Sequence, residues 1–392
     1  MAERTEIEES KETSEDHISA LPDDLLLDVL SLLTADEAVQ TCVLARRWRD
    51  LWMRLPSLRL LSTEHFNSFV NRLIELREPL CLVDCEIDLC HDDTDELSSE
   101  TFPYPYVIQW IQYALASHAR LLRVIVDEDY FDQQLRLNVP LVSQHLMTLH
   151  LNSVDLLCSM DFSSCPVLED LKVSNCEIHA HMVSSRSLKR MCIGGCCFPT
   201  DYRTLLSTPS LNTLQLSTPN DCDGMTPLTE SMPLLETAFV RLAFSSDCCS
   251  YSKNLAVGNC GDESCVGCFG YPYIFRRDLA SCPVFSKLKT LVLNWWVAII
   301  DLDALASVLQ HSPILEILTL ELKDNQDLVS AIGPEENYDP REQPFACTRL
   351  KVVNIECEQD NEKVRKILKF LTTCGIPAEQ ISVKKIFGLW LN

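Results

Sequence analysis

Five cysteines, Cys248, Cys249, Cys260, Cys265 and Cys268, crowd into a stretch otherwise rich in Asn, Gly, Asp and Ser. Cys260-x4-Cys265-x2-Cys268 brings three thiolates within reach of one tetrahedral zinc, with Cys248 or Cys249 available as the fourth ligand. A zinc module normally shows two short paired spacings, and here only Cys265-x-x-Cys268 is one. The expectation is therefore a loop with incidental thiols and no metal, in which Cys248, Cys260, Cys265 and Cys268 are the zinc candidates. His179-x-His181 beside Cys176 is a second grouping of metal-binding types, but Cys176 has a structural explanation in a repeat described below. Motifs for nucleophilic and phosphoryl chemistry are missing: there is no Gly-x-Ser-x-Gly elbow and no Gly-x4-Gly-Lys-Ser/Thr loop. Ten glycines in 392 residues leave few places where backbone can approach a phosphate closely. A catalytic cysteine would need a paired base, and no sequence criterion selects one among twenty thiols. No catalytic residue and no cofactor are expected.

The elements that would have to position any such chemistry belong to an acidic chain with formal net charge −24. The tail Met1 to Asp16 has seven carboxylates against Arg4 and Lys11, and Glu78 to Ala119 contains no Lys or Arg. Such a chain has no general attraction to phosphate backbones or anionic lipid, which argues against nucleic-acid and membrane-surface partners. The longest apolar run, Leu291 to Ile300, contains Asn294 and falls short of the roughly twenty residues of a membrane helix. The amino terminus is too acidic and polar for a signal or transit peptide. The cysteines are expected to be reduced thiols of a nuclear or cytoplasmic protein, many of them small buried apolar groups. At 46% hydrophobic residues, there is material for more than one module.

The first module is predicted over residues 18 to 57 as three short helices. Pro22 suits a helix opening, and Asp23 and Asp24 favour the positive end of its dipole. Leu25, Leu26, Val29, Leu30 and Leu33 form its apolar stripe. Thr34-Ala35-Asp36-Glu37 is a capping box that starts a second helix carrying Ala38, Val39, Cys42 and Val43. Trp48, Leu51, Trp52 and Leu55 mark a third, with Arg46, Arg47, Arg49 and Arg54 on its other faces. About forty residues cannot hide so many large apolar groups in their own core, so a covering surface is implied.

Leu21-Pro22-Asp23-Asp24-Leu25, Val29-Leu30, Ala38-Val39, Thr41, Val43-Leu44 and Arg46-Arg47-Trp48-Arg49-x-Leu51-Trp52 together resemble a plant F-box. Thr34 stands where that family usually has Pro, Leu32 where it often has Phe, and Asp36 where it often has Lys. None of these removes an apolar anchor. The resemblance implies docking on a Skp-type adaptor through Leu21, Pro22, Leu25, Val29, Leu30, Val43, Leu44, Trp48, Leu51 and Trp52, some of which must also hold the module together.

Beyond this module the chain repeats itself. Leu168-x-x-Leu171-x-Val173-x-x-Cys176-x-Ile178 and Leu188-x-x-Met191-x-Ile193-x-x-Cys196-x-Phe198 are full copies of a leucine-rich pattern. Partial copies begin at Leu121, Leu146, Leu211, Leu235, Leu288, Leu315 and Leu350, with Leu82 a further candidate. Starts from Leu121 to Leu235 lie 20 to 25 residues apart, the length of one short strand and a return segment. No repeat can bury its apolar face without neighbours, so the strands are predicted to stack into a curved parallel sheet. Cys176 and Cys196 would serve the turn after each strand. Ser164-Cys165-Pro166, Thr208-Pro209-Ser210 and Ser312-Pro313 place turns before repeat openings. Loops are expected at 245–281 and 324–343, and a closing strand–helix–strand unit over 346–392, with Glu362 to Thr373 as its helix.

Cys165-Pro166-Val167-Leu168-Glu169-Asp170-Leu171 and Pro313-Ile314-Leu315-Glu316-Ile317-Leu318-Thr319-Leu320 are similar to repeat openings of plant F-box/leucine-rich-repeat proteins. Phe69-Val70-Asn71-Arg72-Leu73 and Trp110-Ile111-Gln112-Tyr113-Ala114-Leu115 resemble the linking helices of that group. The last segment is similar to its FBD region, although Cys357-Glu358-Gln359-Asp360 replaces a glycine-containing turn. The fold class so implied is α/β: an acidic tail over 1–17, a three-helix F-box over 18–57, a leucine-rich-repeat solenoid with linker helices over 58–345, and an α+β cap. The function implied is that of the non-catalytic substrate receptor of an SCF-type ubiquitin ligase. Its partners would be the adaptor, through it a cullin scaffold, and an unidentified target protein. The alternatives are a repeat scaffold, or a ligand co-receptor, acting outside ubiquitylation.

Overall fold

The computed structural model describes residues 18, 21–61, 66–90, 104–126, 135–157, 159–219, 224–242, 283–294, 302–322, 349–358 and 362–386. The acidic tail, the two expected loops and the zinc candidates Cys248, Cys260, Cys265 and Cys268 lie outside them.

The architecture is mixed α/β, dominated by one parallel sheet of twelve strands. In spatial order these are β1 (Ser57–Leu61), β2 (Asp84–Asp88), β3 (Leu121–Ile125), β5 (Thr148–Asn152), β8 (Asp170–Ser174), β10 (Arg190–Gly194), β12 (Thr213–Ser217), β14 (Thr237–Arg241), β15 (Thr290–Asn294), β16 (Ile317–Leu322), β17 (Val352–Cys357) and β18 (Ile381–Lys385). Each new strand joins the sheet beside the last main strand in sequence. Two smaller parallel ladders accompany it: β4 (Leu135–Leu137) with β6 (Val154–Leu156), and β7 (Met160–Asp161), β9 (Met182–Ser184), β11 (Leu205–Ser207) and β13 (Leu228–Thr229), ordered β13-β11-β9-β7.

The leucine pattern dictates this register. Strands alternate their side chains, so the second and third apolar positions of each repeat point to one side and form continuous rows across the sheet. Leu149 pairs with Leu171, and Leu171 with Met191; Leu151 pairs with Val173, and Val173 with Ile193; all six are buried. The first leucine of each copy precedes its strand by two residues and is buried in turn. It closes a turn in which Leu168 N–H reaches Cys165 O at 3.1 Å, Leu211 reaches Thr208 O at 3.2 Å and Leu315 reaches Ser312 O at 3.2 Å. Pro166, Pro209 and Pro313 occupy the second position of these turns, where their fixed φ fits and no N–H is required.

The strand exits repeat a second feature. Ser153, Asn175 and Gly195, each the residue after its strand, have φ of 56°, 52° and 63°. Each N–H there bonds to the next unit: Ser153 to Ser174 O at 3.0 Å, Asn175 to Gly194 O at 2.8 Å, and Gly195 to Ser217 Oγ at 3.4 Å. Only the last of the three is glycine. Ser153 and Asn175 meet the same dihedral with a side chain; at Gly195 an added Cβ would meet Asn175 Oδ1, so a larger residue there would have to turn the Asn175 side chain aside.

Two units depart from the repeat reading. The copy placed at Leu121 opens instead at Ala119, since Leu122 and Val124 carry the buried rows and Leu121 is half-exposed. An additional copy, Leu55-x-x-Leu58-x-Leu60, forms β1 and joins the first module to the sheet. That module contains α1 (Asp23–Leu30) and α2 (Ala35–Gln40); the expected second helix ends early in a 3-10 turn at Thr41–Val43, and the expected third is replaced by 3-10 turns at Arg46–Arg49 and Leu51–Arg54. Asp50, with φ −116° and ψ −2°, separates the last two.

The linking helices are α3 (Phe66–Leu76) and α4 (Tyr104–Ala116), joined where Trp110 Nε1 donates to Asn71 Oδ1 at 2.9 Å. α5 (Leu302–Gln310) lies between β15 and β16 in the chain. In the closing segment, α6 (Glu362–Thr373) buries Val364, Ile367, Phe370 and Leu371. That segment was expected to cover the open edge of the sheet; instead it lengthens the sheet, because β18 pairs in parallel with β17. β18 is mostly exposed and ends in Lys384 and Lys385, charges that discourage further edge pairing. Among the described residues, no helix is long and apolar enough to cross a membrane.

Candidate functional site

The amino-terminal module divides its apolar residues between two surfaces. Leu26 and Leu30 on α1 are buried with Ala35, Ala38, Trp48, Leu51, Trp52 and Leu55. The neighbouring stripe of α1 and its exit, Leu25, Val29 and Leu32, stands in solvent at 48%, 48% and 75% exposure. Val43 and Leu44, in and after the first 3-10 turn, are exposed to 83% and 67%, and Ile18 is also exposed. Single exposed apolar residues need no explanation, but five large ones within twenty residues form a cluster of the kind that interaction surfaces show.

Local chemistry holds that surface in place. Thr34 Oγ1 accepts from Glu37 N–H at 3.4 Å while Glu37 Oε2 accepts from Thr34 N–H at 3.0 Å, so the capping box fixes the angle between α1 and α2. Arg47 Nε donates to Asp23 Oδ1 at 2.9 Å, tying the second 3-10 turn to the start of α1. Arg59 Nη1 donates to Leu32 O at 3.0 Å and Arg77 Nη2 to Leu55 O at 2.7 Å, which anchors the module on the sheet.

The ten residues expected to dock a partner therefore separate. Pro22, Leu25, Val29, Val43 and Leu44 face solvent, and Leu21 is half-buried against the core. Leu30, Trp48, Leu51 and Trp52 are core residues, placed there because the module lies on β1 and shares one apolar interior with the sheet. Leu32 and Ile18 were not in the expected set. Leu32 was legible, since it continues Leu25 and Val29 at i+7.

The other expected groupings also resolve. Cys176 Sγ receives the Val154 N–H at 3.3 Å and lies 3.0 Å from Ser174 O, and Cys196 Sγ lies 3.4 Å from Gly194 O and 3.5 Å from Val173 O. Both thiols fasten the strand exits. His179 turns away to Asp155 and Glu177, and His181 packs on the Tyr202 ring at 3.9 Å between centroids.

Burial pushes the Cys85 thiol up to about 12, and raises Cys165, Cys192 and Cys374 as well. Because the thiolate is the reactive form, an alkylating reagent at pH 8 is expected to label exposed Cys81 and Cys90 in the native protein and Cys85 only after denaturation. Peptide mass mapping reads this directly. Labelling of Cys85 at the rate of Cys81 would show that β2 opens in the native state.

On the sheet face opposite the core, charged side chains pair between neighbouring strands. Glu86 holds Arg59 at 3.2 Å and Arg123 at 2.9 Å, and Asp170 holds Arg190 at 2.8 Å; spanning β15, Glu321 on β16 holds Arg241 on β14 through two bonds of 2.7 Å.

Comparison with known proteins bears on the amino-terminal module and on the chain as a whole. Residues 18–60 match the F-box domain. The chain is 28% identical to an FBD-associated F-box protein of Arabidopsis thaliana over 80% of each chain. It is 29% identical to a putative FBD-associated F-box protein of the same plant, covering 79% of this chain and 72% of that one. It is 25% identical to an F-box/FBD/LRR-repeat protein, again from Arabidopsis, over 81% of this chain and 79% of that protein.

Proposed function

From a chain that carries an F-box domain and resembles F-box/FBD/LRR-repeat proteins over most of its length, we infer the substrate-recognition subunit of an SCF-type ubiquitin ligase. The observation that carries this reading is the exposed apolar surface of Leu25, Val29, Leu32, Val43 and Leu44 within the F-box match. A Skp-type adaptor would cover it, with Pro22 and Leu21 at its margin. Leu30, Trp48, Leu51 and Trp52 would support the surface from behind without touching the partner.

In this reading the parallel sheet with its return segments is a leucine-rich-repeat solenoid, the FBD region extends its last edge, and the target protein lies against its side-chain-rich surface. The chain itself does no chemistry. Joined through the adaptor to a cullin scaffold, it raises the effective concentration of the target lysine at the conjugating enzyme to the order of mM for suitable geometry. This work belongs to the nucleus or cytoplasm.

The ligand co-receptor alternative has one observation in its favour. A cavity of about 350 Å³ lies beneath β12, β14 and β15, walled by Leu216, Val240, Leu291 and Phe285, and Ser312 Oγ beside it has no hydrogen-bond partner. An apolar pocket with few polar groups is the usual form of a small-molecule site.

Co-purification of the full chain with a Skp-type adaptor tests the receptor reading. A stoichiometric complex that is lost in a folded Leu21→Ala, Pro22→Ala double variant supports it. Absence of any complex with the wild-type chain overturns it and leaves the scaffold and co-receptor readings.

A further inference from the structure

We propose that Asp155, Glu177 and His179 form a divalent-cation site of the zinc or manganese type on the smaller strand ladder. The bridge between Leu156 and Ile178 sets Asp155 beside Glu177. His179, two residues beyond Glu177, returns to the same side of the chain. His179 Nε2 lies 3.0 Å from Asp155 Oδ1 and 3.4 Å from Glu177 Oε2, and the three ligand atoms all fall within 4.8 Å of one another. A tetrahedral ion with bonds of about 2.0–2.1 Å separates its ligand atoms by about 3.3–3.4 Å, so closing this set needs shifts of no more than about 1.5 Å.

An independent observation points into the same space. Asp155 is only 5% exposed, and its Oδ1 accepts no hydrogen bond. Leaving a buried carboxylate oxygen without a donor is costly. The imidazole nitrogen touches that oxygen without hydrogen-bond geometry, so the two atoms address a common point and do not satisfy each other. Arg136 Nε lies 3.3 Å from the other oxygen, Oδ2. It fixes the carboxylate's orientation in the way outer partners orient metal ligands, and Oδ1 remains for the ion.

The donor set narrows the ion. One imidazole and two carboxylates, with water completing the shell, suit zinc, manganese or ferrous iron better than the all-oxygen shells of calcium and magnesium. Two carboxylate charges match a dication. The competing arrangement is a protonated His179 held between two carboxylates, which produces similar contacts with no ion.

Manganese separates the two, because the protein's many thiols compete for zinc but are poor ligands for this harder ion. The experiment follows the electron paramagnetic resonance signal of free Mn2+ during titration of the metal-free full chain. It compares wild type with Glu177→Gln and His179→Gln, whose side chains are 51% and 43% exposed and whose replacement spares the core. Wild type is expected to take up one equivalent in its tightest class, with at least tenfold weaker uptake in both variants and a thermal shift on adding Mn2+ only in wild type. Identical isotherms for wild type and the two folded variants overturn the site and leave the protonated cluster. A variant that fails to fold is replaced by Asp155→Asn, read against the same two outcomes.

Discussion

Replacing Leu25 with aspartate is expected to weaken binding of a Skp-type adaptor by at least ~2 kcal/mol, about 30-fold in Kd, with the fold intact. The side chain is half-exposed in the free protein, so its removal opens no cavity. Position 25 is the third residue of α1, where a carboxylate adds favourably to the helix dipole and offsets the lower helix propensity of aspartate. The penalty appears only in the complex, where a charge is buried without a partner and apolar contact is lost. Val43→Asp, on a second exposed element, is expected to act in the same direction. Leu26→Asp differs in kind: Leu26 is fully buried, so that variant loses binding by unfolding. Calorimetry of the purified pair measures the affinities, and circular dichroism separates the two causes. Wild-type affinity in a folded Leu25→Asp protein would remove the docking surface from this face of α1.

How far such a surface can be read from sequence depends on whether its signal is local. The capping box and the Leu25, Val29 spacing are local, and both were legible; Leu32, which continues that spacing, was passed over for Leu33. Whether Trp48 and Trp52 face a partner or the protein's own sheet depends on β1, whose Leu55-x-x-Leu58-x-Leu60 overlaps the end of the F-box match and hides among its apolar residues. The third helical segment has i, i+3, i+4 spacing, which serves a series of 3-10 turns as well as an α-helix.

The main strands were legible because three apolar positions per unit fix both existence and register. The exception shows the rule: adjacent Leu121 and Leu122 offered two registers, and the first position is held by the smaller Ala119. The smaller ladders, of two or three residues per strand, are too short to carry a period. Their contacts, including Asp155 with His179 one unit away, exist only once the units are stacked.

Stacking is most demanding between β14 and β15, where the last prediction applies. Repeat openings elsewhere from Leu146 to Leu235 recur every 20 to 24 residues, whereas Leu235 to Leu288 spans 53. By loop-closure entropy alone, this longer connection costs only about 0.7 kcal/mol more; the greater demand is to hold register without a short tether. Two contacts do so. Asn294 at the end of β15 donates through Nδ2 to Leu242 O at 2.8 Å and accepts from Leu242 N–H at 3.1 Å. Across it, Arg241 on β14 reaches Glu321 on β16 through two bonds of 2.7 Å.

Glu321 is buried and Arg241 about one-third exposed. Arg241→Met is therefore expected to destabilise the protein by about 2–4 kcal/mol, since it strands a buried carboxylate, with water near the arginine limiting the loss. Glu321→Leu is expected to cost less, because the freed guanidinium can turn to solvent. The double variant should recover most of the loss, as replacement of a buried ion pair by apolar groups often does. Urea unfolding of all four proteins gives the coupling energy directly. A strictly additive double variant would mean that the pair does not clasp the sheet and that the ladder bonds and Asn294 hold β15 in register without it. Strong coupling would show that this ion pair joins β16 to β14 across the longest break in the repeat, and so keeps the closing segment aligned with the F-box end of the same sheet.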